Sequence, residues 1–352
     1  MRKAAITLFF LHLAVFISAQ RNHSYYYAQG VTKYSNNDYT GAIAEFTTAL
    51  KYKATAKNDY KIADTYRARA FCKMYVRNYK SAIDDLEDAI KFKPEYTELY
   101  YAGVIVLTQA KQYDDGIVWA DKGLALKPEY EDLLLAKAHL FFLKKDYSSA
   151  IKSLDIVLLS ISPRSVEALN AKGESLMKKK DYKASSDAFT QSLEIDPQNS
   201  ASFYDRGICR AYLKDFKGAV EDMNRAMAID TGSKWVGYNN IGFFVKFEEK
   251  DYQAALELFT DAIRLNPSFA YAYSNRAYAK LKMNDLKGAR EDITKSIALD
   301  PTNSWAYKTF GELLVAEKKE KQACEKWQKA LDLDYTTEYD EDVNEFMKQY
   351  CK

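Results

Sequence analysis

The chain has 352 residues, 47% of them hydrophobic and 28% charged, with 6 prolines and 13 glycines. That is the composition of a folded protein too long for one compact core and too poor in turn-formers to be a string of flexible linkers. Its 51 basic and 49 acidic side chains leave almost no net field to draw a phosphate backbone, which excludes nucleic acid as the expected partner.

At the N-terminus Arg2 and Lys3 precede an unbroken apolar run from Ala4 to Ile17, closed by Ser18-Ala19-Gln20. A basic start, a short apolar middle and a small closing residue predict a cleavable secretory signal over residues 1–19. The run is short for a bilayer, so the mature chain is expected to be exported to the periplasm or the cell exterior without an integral membrane span.

Downstream, the prolines set a period. Pro94, Pro128, Pro163, Pro197, Pro267 and Pro301 are separated by 34, 35, 34, 70 and 34 residues. Proline has no N–H and disfavours helix in the residue before it, so each ends one unit and opens the next. Inside the units, Asp38-Tyr39, Asn78-Tyr79, Asp146-Tyr147, Asp181-Tyr182, Asp215-Phe216 and Asp251-Tyr252 place a capping side chain ahead of a second helix. A small residue follows three places after each aromatic, and further small residues stand in phase, from Ala42 and Ala82 to Ala289 and Ala323. Small side chains there let two helices approach closely.

Nine two-helix units result, at 23–56, 63–96, 97–130, 131–164, 166–199, 200–233, 236–269, 270–303 and 304–337. Four places depart from the pattern. An insertion near Lys57 separates the first two units. Thr231 to Trp235 adds residues and lacks the proline, which predicts irregular stacking there. Phe243 stands where a small residue belongs, with Gly242 one place early. In the third unit Val104 takes the corresponding small-residue position.

Gly30, Gly173, Gly207 and Gly311 precede the small residues by twelve, and Phe46, Phe189, Phe259 and Trp327 follow them by four. This pattern closely resembles the tetratricopeptide-repeat family. It is clearest from Ala270 to Asn303, where Tyr273, Ala277, Ala289, Ile293, Ser296 and Pro301 occupy family positions. The resemblance implies an all-α, right-handed superhelical solenoid of about nine hairpins. Residues 338–352 are expected to add a capping helix, with Val343, Phe346, Met347 and Tyr350 on one stripe.

In the resembling family the first helix of each hairpin lines a concave groove, through its second, fifth, ninth, twelfth and thirteenth positions. Carried over, the rule nominates Tyr27, Tyr34, Phe71, Tyr75, Tyr101, Phe142, Tyr204, Tyr212, Phe244, Phe247, Tyr271, Tyr278 and Trp305. Rings of this kind offer apolar area at low entropic cost, so the expected partner is an extended protein or peptide segment. Stacking on sugar rings makes a glycan the alternative. The family's clamp for a terminal carboxylate is not matched, since only Asn275 fits, and Trp305 and Thr309 stand where basic residues would be required.

No catalysis, cofactor or metal is expected. His23 and His139 each stand alone, and no phosphate loop or nucleophile motif is present. Arg67, Lys308 and the pair Asp84-Asp85 read as solvated charge. Cys72 and Cys209 read as buried small residues, while a bridge between Cys324 and Cys351 is left open.

Overall fold

The computed structural model describes residues 22–56, 58–335 and 342–351, so the expected signal over 1–19 lies outside the described residues. In chain order the helices are α1 (His23–Ser35), α2 (Tyr39–Lys51), α3 (Asp59–Tyr75), α4 (Tyr79–Phe92), α5 (Thr97–Gln109), α6 (Tyr113–Leu126), α7 (Glu131–Leu143) and α8 (Tyr147–Ile156). They continue as α9 (Val166–Lys178), α10 (Tyr182–Ile195), α11 (Ser200–Tyr212), α12 (Phe216–Ile229), α13 (Lys234–Asn240), α14 (Tyr252–Leu265), α15 (Ala270–Lys282), α16 (Leu286–Leu299), α17 (Ser304–Ala316), α18 (Glu320–Asp332) and α19 (Asp342–Tyr350). Consecutive helices pack in pairs, and no strand occurs among the described residues. The molecule divides into two compact units between Ser175 and Leu176, within α9.

One side chain builds most of the hairpin turns. The Asp38 N–H donates to the Lys33 carbonyl at 2.9 Å and closes α1, while the Asp38 carboxylate accepts from the Gly41 N–H at 2.8 Å and opens α2. Asp146, Asp181, Asp215, Asp251 and Asp285 repeat both bonds. The residue before each takes the left-handed conformation that ends a helix in this way, with φ between 58 and 65° at Asn37, Lys145, Lys180, Lys214, Lys250 and Asn284.

Helices within a hairpin close on a ring set against a residue without a side chain. A Cβ on Gly30 would lie 2.5 Å from the Phe46 ring, sixteen residues on. The third hairpin keeps that spacing one place earlier, with Gly103 against Trp119, which is how it accommodates Val104. In the seventh hairpin the spacing is seventeen, Gly242 to Phe259, and a π-helical turn over Ile241–Lys246 takes up the extra residue. A second π-turn, Val157–Ile161, lies just ahead of Pro163, where the proline interval is one residue too long. The irregularity expected at Thr231 to Trp235 appears as a 3₁₀ turn, Thr231–Ser233, followed by the short α13. Near Lys57 the inserted residues lengthen α3, which starts at Asp59 and runs for 17 residues.

Buried ion pairs staple neighbouring hairpins. In α3 and α4, Arg69 donates to both oxygens of Asp85 at 2.9 and 2.6 Å, Lys73 adds a contact at 2.7 Å, and Arg69 also reaches Thr47 of the preceding hairpin. Arg206, Arg210, Asp222 and Thr190 repeat this arrangement, as do Arg276, Lys280, Asp292 and Thr260. The expectation for Asp84-Asp85 is therefore corrected in one half: Asp84 is exposed, but Asp85 is 3% exposed and fully engaged. It faces inward because α4 turns it toward the guanidinium of α3.

At the C-terminal end α19 covers the last hairpin. Val343 is buried, and the Phe346 and Tyr350 rings lie 5.2 and 5.8 Å from Trp327. Cys324 and Cys351 are joined by a disulfide. Lys308 is not solvated: it is 3% exposed and bonds Glu312 at 2.6 Å and Asp342 at 3.2 Å. Burial alone would lower its pKa, but the two carboxylates outweigh this and raise it. No helix among the described residues is long and apolar enough to cross a membrane.

Candidate functional site

Among the cavities on the first helices of the N-terminal unit, two have walls made mostly by the helix positions nominated from the sequence. One, of about 180 Å³, lies between α1 and α3 and is lined by Tyr27, Val31, Tyr34, Asp64, Arg67 and Phe71 with Phe46 beneath. Arg67 bonds Asp64 at 2.9 Å and lies over the Tyr96 ring, so its charge is already partnered. The other, of about 380 Å³, lies between α5, α7 and α9, with Tyr101, Ile105, Thr108, Asp132, Leu135, His139 and Glu167 around it. Every one of these last seven stands at a second, fifth, ninth or twelfth helix position.

Elsewhere in this unit the nominated rings are partly used up. Tyr75 is half exposed and stacks on Tyr39 at 4.5 Å, and Phe142 packs edge-on against Tyr147 at 5.4 Å. His23 is buried and not a surface contact; its Nε2 lies 2.9 Å from the Thr65 hydroxyl. Burial, with the nearby Lys61 charge, lowers the pKa of His23.

In the C-terminal unit the nominated rings occupy one another. Phe247 lies 5.0 Å from Tyr278, Tyr278 lies 5.4 Å from Trp305, and Phe243 sits 5.4 Å from Trp305. Lys308 caps this group, over the Tyr278 and Trp305 rings. Trp305 is 8% exposed and Tyr204 is 9% exposed, so both belong to the core rather than to an accessible groove. Tyr204 packs on Met223 and Met227, and burial, followed by the Asp230 charge, pushes its phenol up to about 12. Tyr212 remains about half exposed, stacked on Tyr182 at 4.1 Å and edge-on to Phe244 at 5.6 Å, and Tyr271 is half-buried beside Phe269. Asn275 is buried and donates to Asn239 at 2.9 Å.

Asp132 and Glu167 were not nominated because only aromatic side chains were carried forward from the groove positions, and His139, itself at a ninth position, reads from the sequence as a solvated or satisfied histidine. The positional rule already contained them. Among the described residues no group of three His, Cys, Asp or Glu is disposed to hold a metal ion. Cys72 and Cys209 are buried, and burial pushes each thiol up to about 11, far from a reactive thiolate.

Tetratricopeptide-repeat profiles match residues 246–304 and 166–199. The chain is 33% identical over 116 residues to the small glutamine-rich tetratricopeptide repeat-containing protein 2 of Saccharomyces cerevisiae, covering 33% of each chain. It is 24% identical over 279 residues to a DnaJ homolog subfamily C member 7 homolog of Dictyostelium discoideum, covering 71% of this chain and 51% of that one. The chain thus spans between a third and a half of the length of these two relatives. In fold it is similar to a tetratricopeptide repeat protein from Parabacteroides merdae, with a TM-score of 0.53 and 15% identity over 83% of this chain and 100% of that one. A repeat-containing protein from Cytophaga hutchinsonii aligns with a TM-score of 0.55 and 17% identity over 71% of this chain and 98% of that one. With its 34-residue period, its paired helices and the two profile matches, the chain belongs to the tetratricopeptide-repeat family.

Proposed function

We propose that this chain is an exported protein-interaction scaffold that holds an extended protein segment along the first helices of its N-terminal unit. The observation that carries this reading is the convergence of the second, fifth, ninth and twelfth repeat positions of α1, α3, α5, α7 and α9 on open cavities, in a unit whose nominated rings are only partly used up by one another. An extended segment suits such a surface, because the part-buried tyrosines Tyr27, Tyr34 and Tyr101 can meet both its apolar side chains and its backbone polar groups. Export is supported by the basic and apolar start of the chain and by the Cys324–Cys351 bridge, since disulfides persist in oxidising compartments.

A photo-crosslinking amino acid placed at Tyr34, Ile105 or Tyr278 in the full chain in cells tests both parts. Adducts to protein are expected from Tyr34 and Ile105 and not from Tyr278, on a chain whose recovered N-terminus is Gln20. Adducts from Tyr278 alone, or from none of the three, would remove the groove, and a retained residue 1 would remove export.

A further inference from the structure

Resting on that groove, we infer that the cavity between α5, α7 and α9 is a socket for one cationic side chain of the bound segment, an arginine in preference to a lysine. Its floor is aliphatic, built by Val104, Ile105, Leu135 and Ala136. Two carboxylates, Asp132 of α7 and Glu167 of α9, complete the lining, and no lysine or arginine contributes to it. Neither carboxylate is engaged by an ion pair among the described residues, unlike Asp85, Asp222 and Asp292, each of which is paired with an arginine of the preceding helix. The Tyr101 ring forms one wall, and both carboxylates act on its hydroxyl: after burial, Asp132 and then Glu167 hold its pKa up. Two negative charges on separate helices therefore flank one aromatic face above an apolar floor.

That combination selects the ligand. An anionic or carboxylate-ended group is repelled. A neutral aliphatic side chain fills the floor but leaves the two carboxylates without a counter-charge. A divalent cation is not served, because Asp132, Glu167 and His139 do not assemble as a three-ligand group. A long basic side chain lays its methylenes on the floor and carries its charge to the rim. Guanidinium adds planar stacking on tyrosine and a rigid fork of five donors that matches carboxylate geometry, neither of which the compact ammonium offers. The cavity volume of about 380 Å³ accommodates such a side chain with neighbouring backbone.

The test uses the full chain and a display library of random peptides in which one central position is fixed as arginine, lysine, citrulline or glutamate. Peptides from the arginine set are expected to dominate, and Asp132→Asn with Glu167→Gln should weaken them by at least about tenfold while leaving citrulline analogues unchanged. Both exchanges keep size at exposed, unpaired rim positions, so circular dichroism should be unaltered. Tight binding that is indifferent to the central residue and to the double variant would overturn the socket and leave the groove standing. Failure of every set to bind, with crosslinking from Ile105 also absent, would overturn both.

Discussion

His23 sits where a single proton has a measurable consequence. The Thr65 hydroxyl donates to the Lys61 carbonyl at 2.7 Å and so is free to accept from Nε2 of His23 at 2.9 Å, a pairing that suits the neutral ring. Burial, and then the charge of Lys61, lowers the ring's pKa below its ordinary 6.5. Well above pH 6.5 the ring is neutral whether the chain is folded or unfolded, and it contributes no pH dependence. As pH falls below that value the unfolded chain takes up the proton first, so stability declines until the lowered folded pKa is passed. His23→Gln should remove this part of the decline, seen as a smaller difference in thermal midpoint between about pH 7.5 and pH 5 than in the parent chain. Equal pH dependence in the two proteins would show that the ring does not titrate as its surroundings dictate.

Between elements, the repeated unit is held as much by buried charge as by packed rings. Asp85 and Asp84 are adjacent in α4, yet only Asp85 meets Arg69 and Lys73. Removing one partner of a buried pair leaves the other uncompensated, so Asp85→Ala should cost about 3–5 kcal/mol. Asp84→Ala should stay within about 0.5 kcal/mol, as an exposed substitution does. Chemical denaturation of the two variants separates them, and similar small losses would demote the staple. The turn aspartates were legible in the sequence because an acidic residue before an aromatic at a fixed interval has one physical use. The staples were not, since two neighbouring carboxylates look alike until the partner helix shows which one it faces. Nor was the self-filling of the C-terminal rings: Tyr278 occupies the same repeat position as Phe71, and Trp305 the same as Asp132 and Glu167, and Phe243 and Phe247 add the bulk packed against them.

The chain uses its aromatic side chains differently in its two units, with Tyr27, Tyr34 and Tyr101 lining open cavities in the first and Phe243, Phe247, Tyr278 and Trp305 packed on one another in the second. The end of the second unit is secured three times over, by the Trp327 ring stack, by the bonds of Lys308 and by the disulfide. A covalent link across 27 residues of sequence is worth about 3 kcal/mol in restricting the unfolded chain. Replacing Cys324 and Cys351 together by Ser should lower the transition followed by Trp327 fluorescence by roughly that amount, and reductant should then have no further effect. An unchanged transition would mean that rings and charges alone hold α19 in place.

The two π-turns carry a lesson about length. Each widens one loop of helix to house a single surplus residue, and after the second, Phe259 still meets the bare backbone of Gly242, so the miscount goes no further along the chain. A ladder built from counted rungs can in this way absorb an insertion inside a helix, where a rigid rod would pass the error to every rung beyond it.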